Sequence, residues 1–353
     1  VVLLTARFVL AAPVALVNPS GEENNGIDRT AVPHPDFPGW AGANGQVIHG
    51  DTDGGNGAWR ISLGSGGEIR QMTNHVIQVG EAFSLRFEAS TFSGLPVAVT
   101  AEFFTETSPG AVTIILSKSC VFSTLTSGSW EGFQLVSGFG ELDAAVGRPI
   151  GVRLRNTDGV GKFLSVDDVR LESFTAQTAT SFLKNWSSTA DRPWAGGDFW
   201  ANRLQDWEVS AGRLQARIGL STKPLRTVHR LTTAVSGCPG NFSLSVRTGL
   251  ASDVWTAGAL TGIFIGAGAS HDFRGAALMH HRGGRDGGTF LGVKNNGAAV
   301  IQSNRQNNLS QLALGATPAA LPASYRIEVT AAWQPVSHDY LLSVTIRDGT
   351  SDA

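Results

Sequence analysis

Short apolar and β-branched runs recur along this chain at intervals of about ten residues, with turn signals between them. In the first half they lie near residues 58–63, 75–79, 82–89, 97–104, 111–118, 131–136 and 150–156. The chain also carries 43 glycines, a residue type that favours turns. No stretch combines a helical apolar period with helix caps. The pattern predicts an all-β fold with little helix, built from antiparallel sandwiches.

The run 161–172, with the sequence GKFLSVDDVRLE, predicts the closing strand of a first sandwich. Its Val166 and Leu171 are residue types that favour strands. The pair Asp167 and Asp168 is unfavourable in a strand, so we expect a structural reason for it.

The domain organisation follows from this closing strand and from the polar link after it. We expect an apolar N-terminal strand segment over residues 1–15 and a jelly-roll sandwich over residues 16–174. Residues 175–181 are a short polar linker, and residues 182–353 form a second antiparallel sandwich. A length of 353 residues is ordinary for two such domains.

Charge excludes two classes of partner. Charged residues make up 16% of the chain, the net charge is −2, and no run of Lys or Arg occurs. Nucleic-acid binding therefore has no electrostatic basis, because it depends on neutralising phosphates. Attachment to an anionic membrane surface lacks the basic cluster that it needs.

The first residues, 1–17, read VVLLTARFVLAAPVALV. This run is similar to the apolar part of a secretory signal, but it is too short and too interrupted by Arg7 to span a membrane. The lysines are outnumbered by arginines, which is typical of GC-rich bacterial genomes. We expect a secreted bacterial protein, extracellular or at the cell surface.

Four stretches of the first half resemble one known family. They are LVNPSGEE at 16–23, PGW at 38–40, GAWRISL at 57–63 and FLSVDDVRL at 163–171. Together they are similar to the galactose-binding-like jelly rolls of carbohydrate-binding module families 4, 9 and 22. The chain departs from the family at Gly21, where an aromatic residue is usual.

The resemblance implies a structural Ca²⁺ ion held by Glu22 and by Asp167 or Asp168. Oxygen ligands from both ends of a domain suit a hard cation. The loop carboxylates Asp51 and Asp53 are candidates to complete the shell. The alternative is that all five acids are solvated strand and turn residues.

The second half resembles a different family. The stretches LQDWEVSAGRLQA (204–216), VHRLTT (228–233) and HDFRGAALMHHRGGRDGGTFLGV (271–293) are similar to concanavalin-like, laminin G-like sandwiches. Such sandwiches are attached to alkaline phosphatase D-type metallophosphatases. In that family further strands normally follow, so we expect this sandwich to lack its closing strand.

Catalytic motifs are missing from the sequence. It has no Gly-Asn-His-Asp metallophosphatase run and no Gly-x-Ser-x-Gly elbow. His280 and His281 are adjacent on a predicted strand and would point to opposite faces, so they do not suit one metal ion. We expect a protein that is not an enzyme.

Aromatic residues are the better candidates for ligand binding, because a sugar stacks its C–H face on an indole ring. Trp40 and Trp130 are candidates in the first domain, and Trp194, Trp200 and Trp255 in the second. The alternative for each is packing in the core or at an edge.

The N-terminal segment offers a strand that the second sandwich needs. Val2, Leu4, Phe8 and Leu10 are the candidate assembly residues, and an added strand contributes main-chain hydrogen bonds. We favour donation to another copy, which predicts a head-to-tail fibre. Donation within the chain predicts a closed monomer, and a third reading places residues 1–15 on the edge of the first sandwich.

We therefore expect a non-catalytic extracellular structural or adhesive protein whose main partners are copies of itself, with polysaccharide as a further candidate partner. The alternative is a carbohydrate-binding accessory region of a secreted bacterial enzyme of the metallophosphatase type.

Overall fold

The computed structural model of this protein describes residues 2–7, 10–19, 21–23, 28, 30–33, 37–49, 59–91, 96–122, 130–176, 179–201, 207–216, 228–230, 239–249, 260–267, 287–303, 310–318 and 320–350. These residues form β-strands and one 3-10 turn, Asp143–Ala145. The predicted all-β fold is confirmed. Across these ranges, no helix has the length and apolar character needed to cross a bilayer.

The strands are numbered along the chain. The first eleven are β1 (Val2–Arg7), β2 (Leu10–Val14), β3 (Thr30–Val32), β4 (Ala41–His49), β5 (Trp59–Val76), β6 (Glu81–Thr91), β7 (Val97–Glu106), β8 (Val112–Phe122), β9 (Glu131–Val136), β10 (Pro149–Asn156) and β11 (Leu164–Thr175). The other twelve are β12 (Ala179–Lys184), β13 (Phe199–Ala201), β14 (Trp207–Ser210), β15 (Arg213–Ala216), β16 (Val228–Arg230), β17 (Phe242–Gly249), β18 (Leu260–Ala267), β19 (Gly287–Lys294), β20 (Ala299–Ser303), β21 (Ser310–Leu314), β22 (Ser324–Gln334) and β23 (Asp339–Asp348).

The first half forms one antiparallel sheet that folds over into two packed layers. Its main path is β8-β7-β10-β5-β11-β6-β9, with β2 added to β11 and with β3 and β4 added through β5. The long strand β5 serves both layers. Its residues 61–63 pair with β11, and its residues 68–72 pair with β10.

A bend at residues 64–67 allows β5 to change layers. The neighbouring strand β4 carries a register shift here, and Asn44 lies in the left-handed region at φ 51°. The Asn44 amide nitrogen donates to the Ser65 carbonyl oxygen at 2.7 Å. A Cβ atom on Gly67 would come within 2.5 Å of the Asn44 carbonyl oxygen, so only glycine fits. The bend turns one strand into the corner of the sandwich.

The core lies between the two layers. It is built from alternate positions of the strands, so one layer contributes residues such as Leu85, Phe87 and Val166 and the other Phe103 and Leu154. All five are at most 2% exposed. Burying a side chain of this kind contributes about 1.5–3 kcal/mol, and that burial holds the two layers together.

The second half contains further antiparallel sheets. A five-stranded sheet has the order β12-β1-β17-β22-β23, and a four-stranded sheet has the order β18-β19-β20-β21. Leu291 and Val293 of the smaller sheet join Tyr325, Ile327 and Val329 of the larger one in a separate buried cluster. The predicted domain borders at residues 15, 174 and 182 stay predictions, although β12 begins inside the predicted linker.

Candidate functional site

The N-terminal strand β1 lies inside the five-stranded sheet of the second half. It pairs antiparallel with β12 on one side, where Val2 is opposite Lys184, and with β17 on the other, where Val2 is opposite Val246. Both edges of β1 therefore form main-chain ladders, and among the described strands β12 joins the rest of the sheet only through β1. β1 thus occupies an interior position of this sheet.

The strand comes from the same chain, however. The favoured expectation was donation to another copy, and here the chain's own β1 fills that position. The next strand, β2, pairs instead with β11 of the first sandwich, where Leu10 is opposite Thr175. Placement on the edge of the first sandwich therefore holds for β2 but not for β1. Of the candidate assembly residues, Val2 and Leu4 lie in β1 and Leu10 in β2, whereas Phe8 is outside the described residues.

A hairpin tip between β22 and β23 contacts the first sandwich. The Lys118 ammonium of β8 donates to the His338 carbonyl oxygen at 3.1 Å and to the Asp339 carboxylate at 2.5 Å. The Nε2 atom of His338 lies 2.7 Å from the Glu141 carboxylate. The two halves are thus linked by charged side chains as well as by the segment that contains β1 and β2.

Two of the five predicted sugar-binding tryptophans are part of the core. Trp40 and Trp130 are each only 3% exposed. The Trp40 indole N–H donates to the Asn18 carbonyl oxygen at 2.9 Å. An indole ring that is 3% exposed has no free face on which a sugar could stack. The prediction of sugar binding is therefore wrong for Trp40 and Trp130.

Trp194 is different, because 44% of it is exposed. The Arg192 guanidinium lies 5.3 Å from the centre of its ring, a distance at which cation–π attraction is favourable. Arg192 is itself held by hydrogen bonds to the carbonyl oxygens of Trp194 and Ala195, at 3.2 and 2.9 Å. Trp194 therefore presents an exposed indole ring on a loop that the Arg192 hydrogen bonds hold in place. Trp200 lies in β13, and Trp255 is outside the described residues.

The predicted calcium ligands do not form a cluster among the residues that the structure places. Asp167 is 1% exposed and accepts the Asp168 backbone N–H, and the Asp168 carboxylate accepts from Arg170 at 2.9 Å. The Glu22 carboxylate accepts the Trp59 backbone N–H at 3.0 Å. No group of three or more acidic, His or Cys residues in the described ranges suits a metal ion.

Two of the candidates, Asp51 and Asp53, fall outside the described residues. The carboxylates of Glu22, Asp167 and Asp168 each accept a hydrogen bond from the protein, which leaves further oxygen lone pairs on each carboxylate. The calcium site stays a prediction.

A cluster of charged residues, which sequence analysis missed, lies on the outer face of β5, β10 and β7. We call it the charged face, and it consists of Glu68, Arg70, Glu102, Arg153 and Arg155. Strand register brings them together, since Arg155 is opposite Glu68 and Arg153 is opposite both Arg70 and Glu102. The alternation of Arg153, buried Leu154 and Arg155 along β10 is the sequence pattern that could have predicted a charged outer face.

The Glu68 carboxylate lies at the centre of the charged face. It is 3.8 Å from Arg70, 3.6 Å from Arg153 and 3.6 Å from Arg155. The Nε atom of Arg153 donates to the nearly buried Glu102 carboxylate, which lies 3.9 Å from Arg155. Five charges on a rigid sheet form one connected network.

No protein-family model and no curated protein matches this chain. Among solved structures, a Stig cyclase from Fischerella sp. TAU, in complex with (3Z)-3-(1-methyl-2-pyrrolidinylidene)-3H-indole, is 14% identical at a TM-score of 0.38, over 48% of this chain and 100% of that chain. A family 61 carbohydrate-binding module in complex with β-1,4-galactotriose is 15% identical at a TM-score of 0.31, over 45% and 98%.

A family 4 carbohydrate-binding module is 19% identical at a TM-score of 0.27, over 38% of this chain and 94% of that chain. At these identities and TM-scores, the likeness assigns neither a family nor an activity to this protein. The laminin G-like resemblance of the second half stays a prediction.

Proposed function

We propose that this chain is a non-catalytic, extracellular structural or adhesive protein whose N-terminal strand completes its second sandwich. The supporting observation is the position of β1 between β12 and β17. The same main-chain pairing is available to a strand from another copy.

Exchange of β1 between copies would build the fibre. The β1 strand of one copy enters the sheet of a second copy, and the vacated position in the first copy accepts β1 from a third. The contact is therefore head-to-tail and does not form a closed ring. Within one chain, a short connection gives β1 an effective concentration of the order of millimolar. Closed monomers therefore dominate in dilute solution, and exchange needs local crowding or refolding at high concentration.

A matched pair of variants tests this function. Thr5 lies in the middle of β1, opposite Ser181 and Ser243. Proline at this position removes a ladder hydrogen bond and is not tolerated in an interior strand, whereas valine suits a strand. After refolding at high concentration, we expect Thr5→Val to form oligomers as the unmodified chain does and Thr5→Pro to form none. Light scattering and electron microscopy give the readout.

Two outcomes would reject strand exchange. One is an unmodified chain that stays monomeric after refolding at high concentration. The other is a set of fibres that persists in Thr5→Pro. A synthetic peptide of residues 1–9 added to a chain that lacks them is a further test, because it should restore the melting temperature of the second half.

Glycan binding is the second candidate function, and it would suit a carbohydrate-binding accessory region of a secreted enzyme. The observation that favours it is the exposed, braced ring of Trp194. Trp194→Ala should abolish retention on polysaccharide gels, and Phe163→Ala, which removes a half-exposed ring from the first sandwich, should not. Equal retention of both variants would remove Trp194 from consideration.

A further inference from the structure

The charged face holds more hydrogen-bond donors than its own acceptors use. Only the contact between Arg153 and Glu102 is a close hydrogen bond, and the other four ion pairs of the network span 3.6–3.9 Å. The Nε atom of Arg155 faces the Glu68 carboxylate at 3.6 Å, which is longer than a hydrogen bond. These long ion pairs leave guanidinium N–H groups without a close acceptor, so an acceptor that meets the exposed part of Arg155 or Arg70 would be favourable here.

The charge of this face is also uncompensated. Three arginines face two glutamates, which leaves 3 − 2 = +1 on the cluster although the chain as a whole carries −2. The Arg155 side chain is 40% exposed and that of Arg70 is 29% exposed, whereas the Glu102 side chain is 7% exposed. Solvent therefore meets mainly the positive part of the network.

Hydroxyl groups continue the same face toward the sheet edge. Thr100 is opposite Arg155 on β7, and Ser119 is opposite Thr100 on β8. Their hydroxyls lie 2.7 Å apart, and Ser117 of β8 is exposed beside them. The row from β10 to β8 thus offers guanidinium donors first and then hydroxyls that both donate and accept.

We propose that the charged face binds an acidic polysaccharide, with a carboxylate of the sugar chain held by Arg155 and Arg70 and neighbouring sugar hydroxyls held by the exposed Ser117 and Ser119. A planar guanidinium fork matches a carboxylate in two parallel hydrogen bonds. Mixed carboxylate and hydroxyl chemistry distinguishes a uronic-acid chain from a nucleic acid, whose dense phosphates require many basic residues, whereas this sequence has a net charge of −2 and no run of Lys or Arg.

The site is separate from Trp194 and from β1. It lies on strands of the first sandwich, and a closed monomer and an exchanged fibre present it equally. It therefore goes beyond the proposed function and does not depend on strand exchange.

Binding is tested with the full chain and three soluble polymers: polygalacturonate, dextran sulfate and neutral dextran. Affinity electrophoresis or calorimetry should detect binding to polygalacturonate that weakens as salt is raised, and no binding to dextran. Arg155→Gln should weaken this binding by about tenfold or more, because a charge-assisted hydrogen bond is lost. Arg213→Gln, an equal charge change at an exposed site of β15, should leave binding unchanged.

Glu68→Gln separates ligand binding from a purely structural role. Removing the central carboxylate frees the guanidiniums around it, so polygalacturonate should bind more tightly, whereas a network that serves only stability would lose stability without gaining affinity. Melting temperatures of all variants establish that they are folded. The proposal is overturned by any of three results: no binding to polygalacturonate, binding to dextran sulfate alone, or equal loss of binding in Arg155→Gln and Arg213→Gln.

Discussion

The backbone N–H of Val169 donates to the carbonyl oxygen of Pro19 at 3.1 Å and so ties the opening loop of the first sandwich to its closing strand. The contact is made where β11 bulges, since its pairing with β6 shifts register between Asp167 and Arg170. Asp168 occupies the bulge at φ 49°. This is the structural reason for Asp at position 168, because Asp tolerates the left-handed region better than most residues, and the Asp167 carboxylate accepts the Asp168 backbone N–H at 2.7 Å.

Replacing Asp168 should reveal the strain of this bulge. Asp168→Val places a β-branched residue in the left-handed region and removes the partner of Arg170, so it should lower the free energy of unfolding by roughly 2 kcal/mol. Asp168→Asn suits the same backbone and should cost clearly less. Urea denaturation of both variants gives the comparison, and equal losses would show that backbone conformation is not the cause.

The aromatic pair Phe87 and Phe133 should be a main contribution to the first core. Their ring centres are 5.2 Å apart, and Phe87 is 2% exposed. Phe87→Ala should lower the free energy of unfolding by about 3–5 kcal/mol through lost burial and the cavity left behind. Val160→Ala, at a residue 98% exposed, is the control and should have little effect. A small loss for Phe87→Ala would contradict the assigned core.

Asp158 should make the first sandwich sensitive to acid. The Ala98 backbone N–H donates to its carboxylate at 2.6 Å, and this hydrogen bond, assisted by Lys162 at 3.2 Å, lowers the pKa of Asp158. Since the folded pKa lies below the unfolded one, the stabilisation is present above the unfolded pKa and is lost as the pH falls through the folded value.

The variant Asp158→Ala should therefore melt at a lower temperature than the unmodified chain at neutral pH. The difference should shrink well below about pH 4, where the carboxyl group of the unmodified chain is protonated. Melting curves at both pH values provide the measurement. A difference that does not change with pH would mean that the side chain acts through packing and not through its charge.

The ion pair between Lys118 and Asp339 should couple the two halves only weakly. The Asp339 side chain is 60% exposed, and exposed pairs contribute about 0.2–1 kcal/mol. A double-mutant cycle with Lys118→Ala and Asp339→Ala should give a coupling energy in that range. A coupling of several kcal/mol would show that this contact, and not the shared N-terminal segment, dominates the association.

Local pattern was sufficient for the fold class. Strand-forming runs separated by turn residues carry their information in a few neighbouring positions, and the predicted closing strand 161–172 overlaps the observed Leu164–Thr175. The local sequence pattern did not predict which tryptophans are buried. Trp40 follows a Pro-Gly turn and looks like a loop residue, but its environment depends on Asn18 and on strands that are distant in sequence.

The sequence by itself determined an all-β chain, a first sandwich with an unusual Asp pair in its closing strand, and an apolar N-terminal strand, because alternation and turn chemistry are local. Only the tertiary structure decided that β1 enters the sheet of the second half while β2 joins the first, and that Glu68, Arg70 and Arg155 meet on one face. Both depend on which strands pair and in what register, and a shift of one residue would move every side chain to the opposite face.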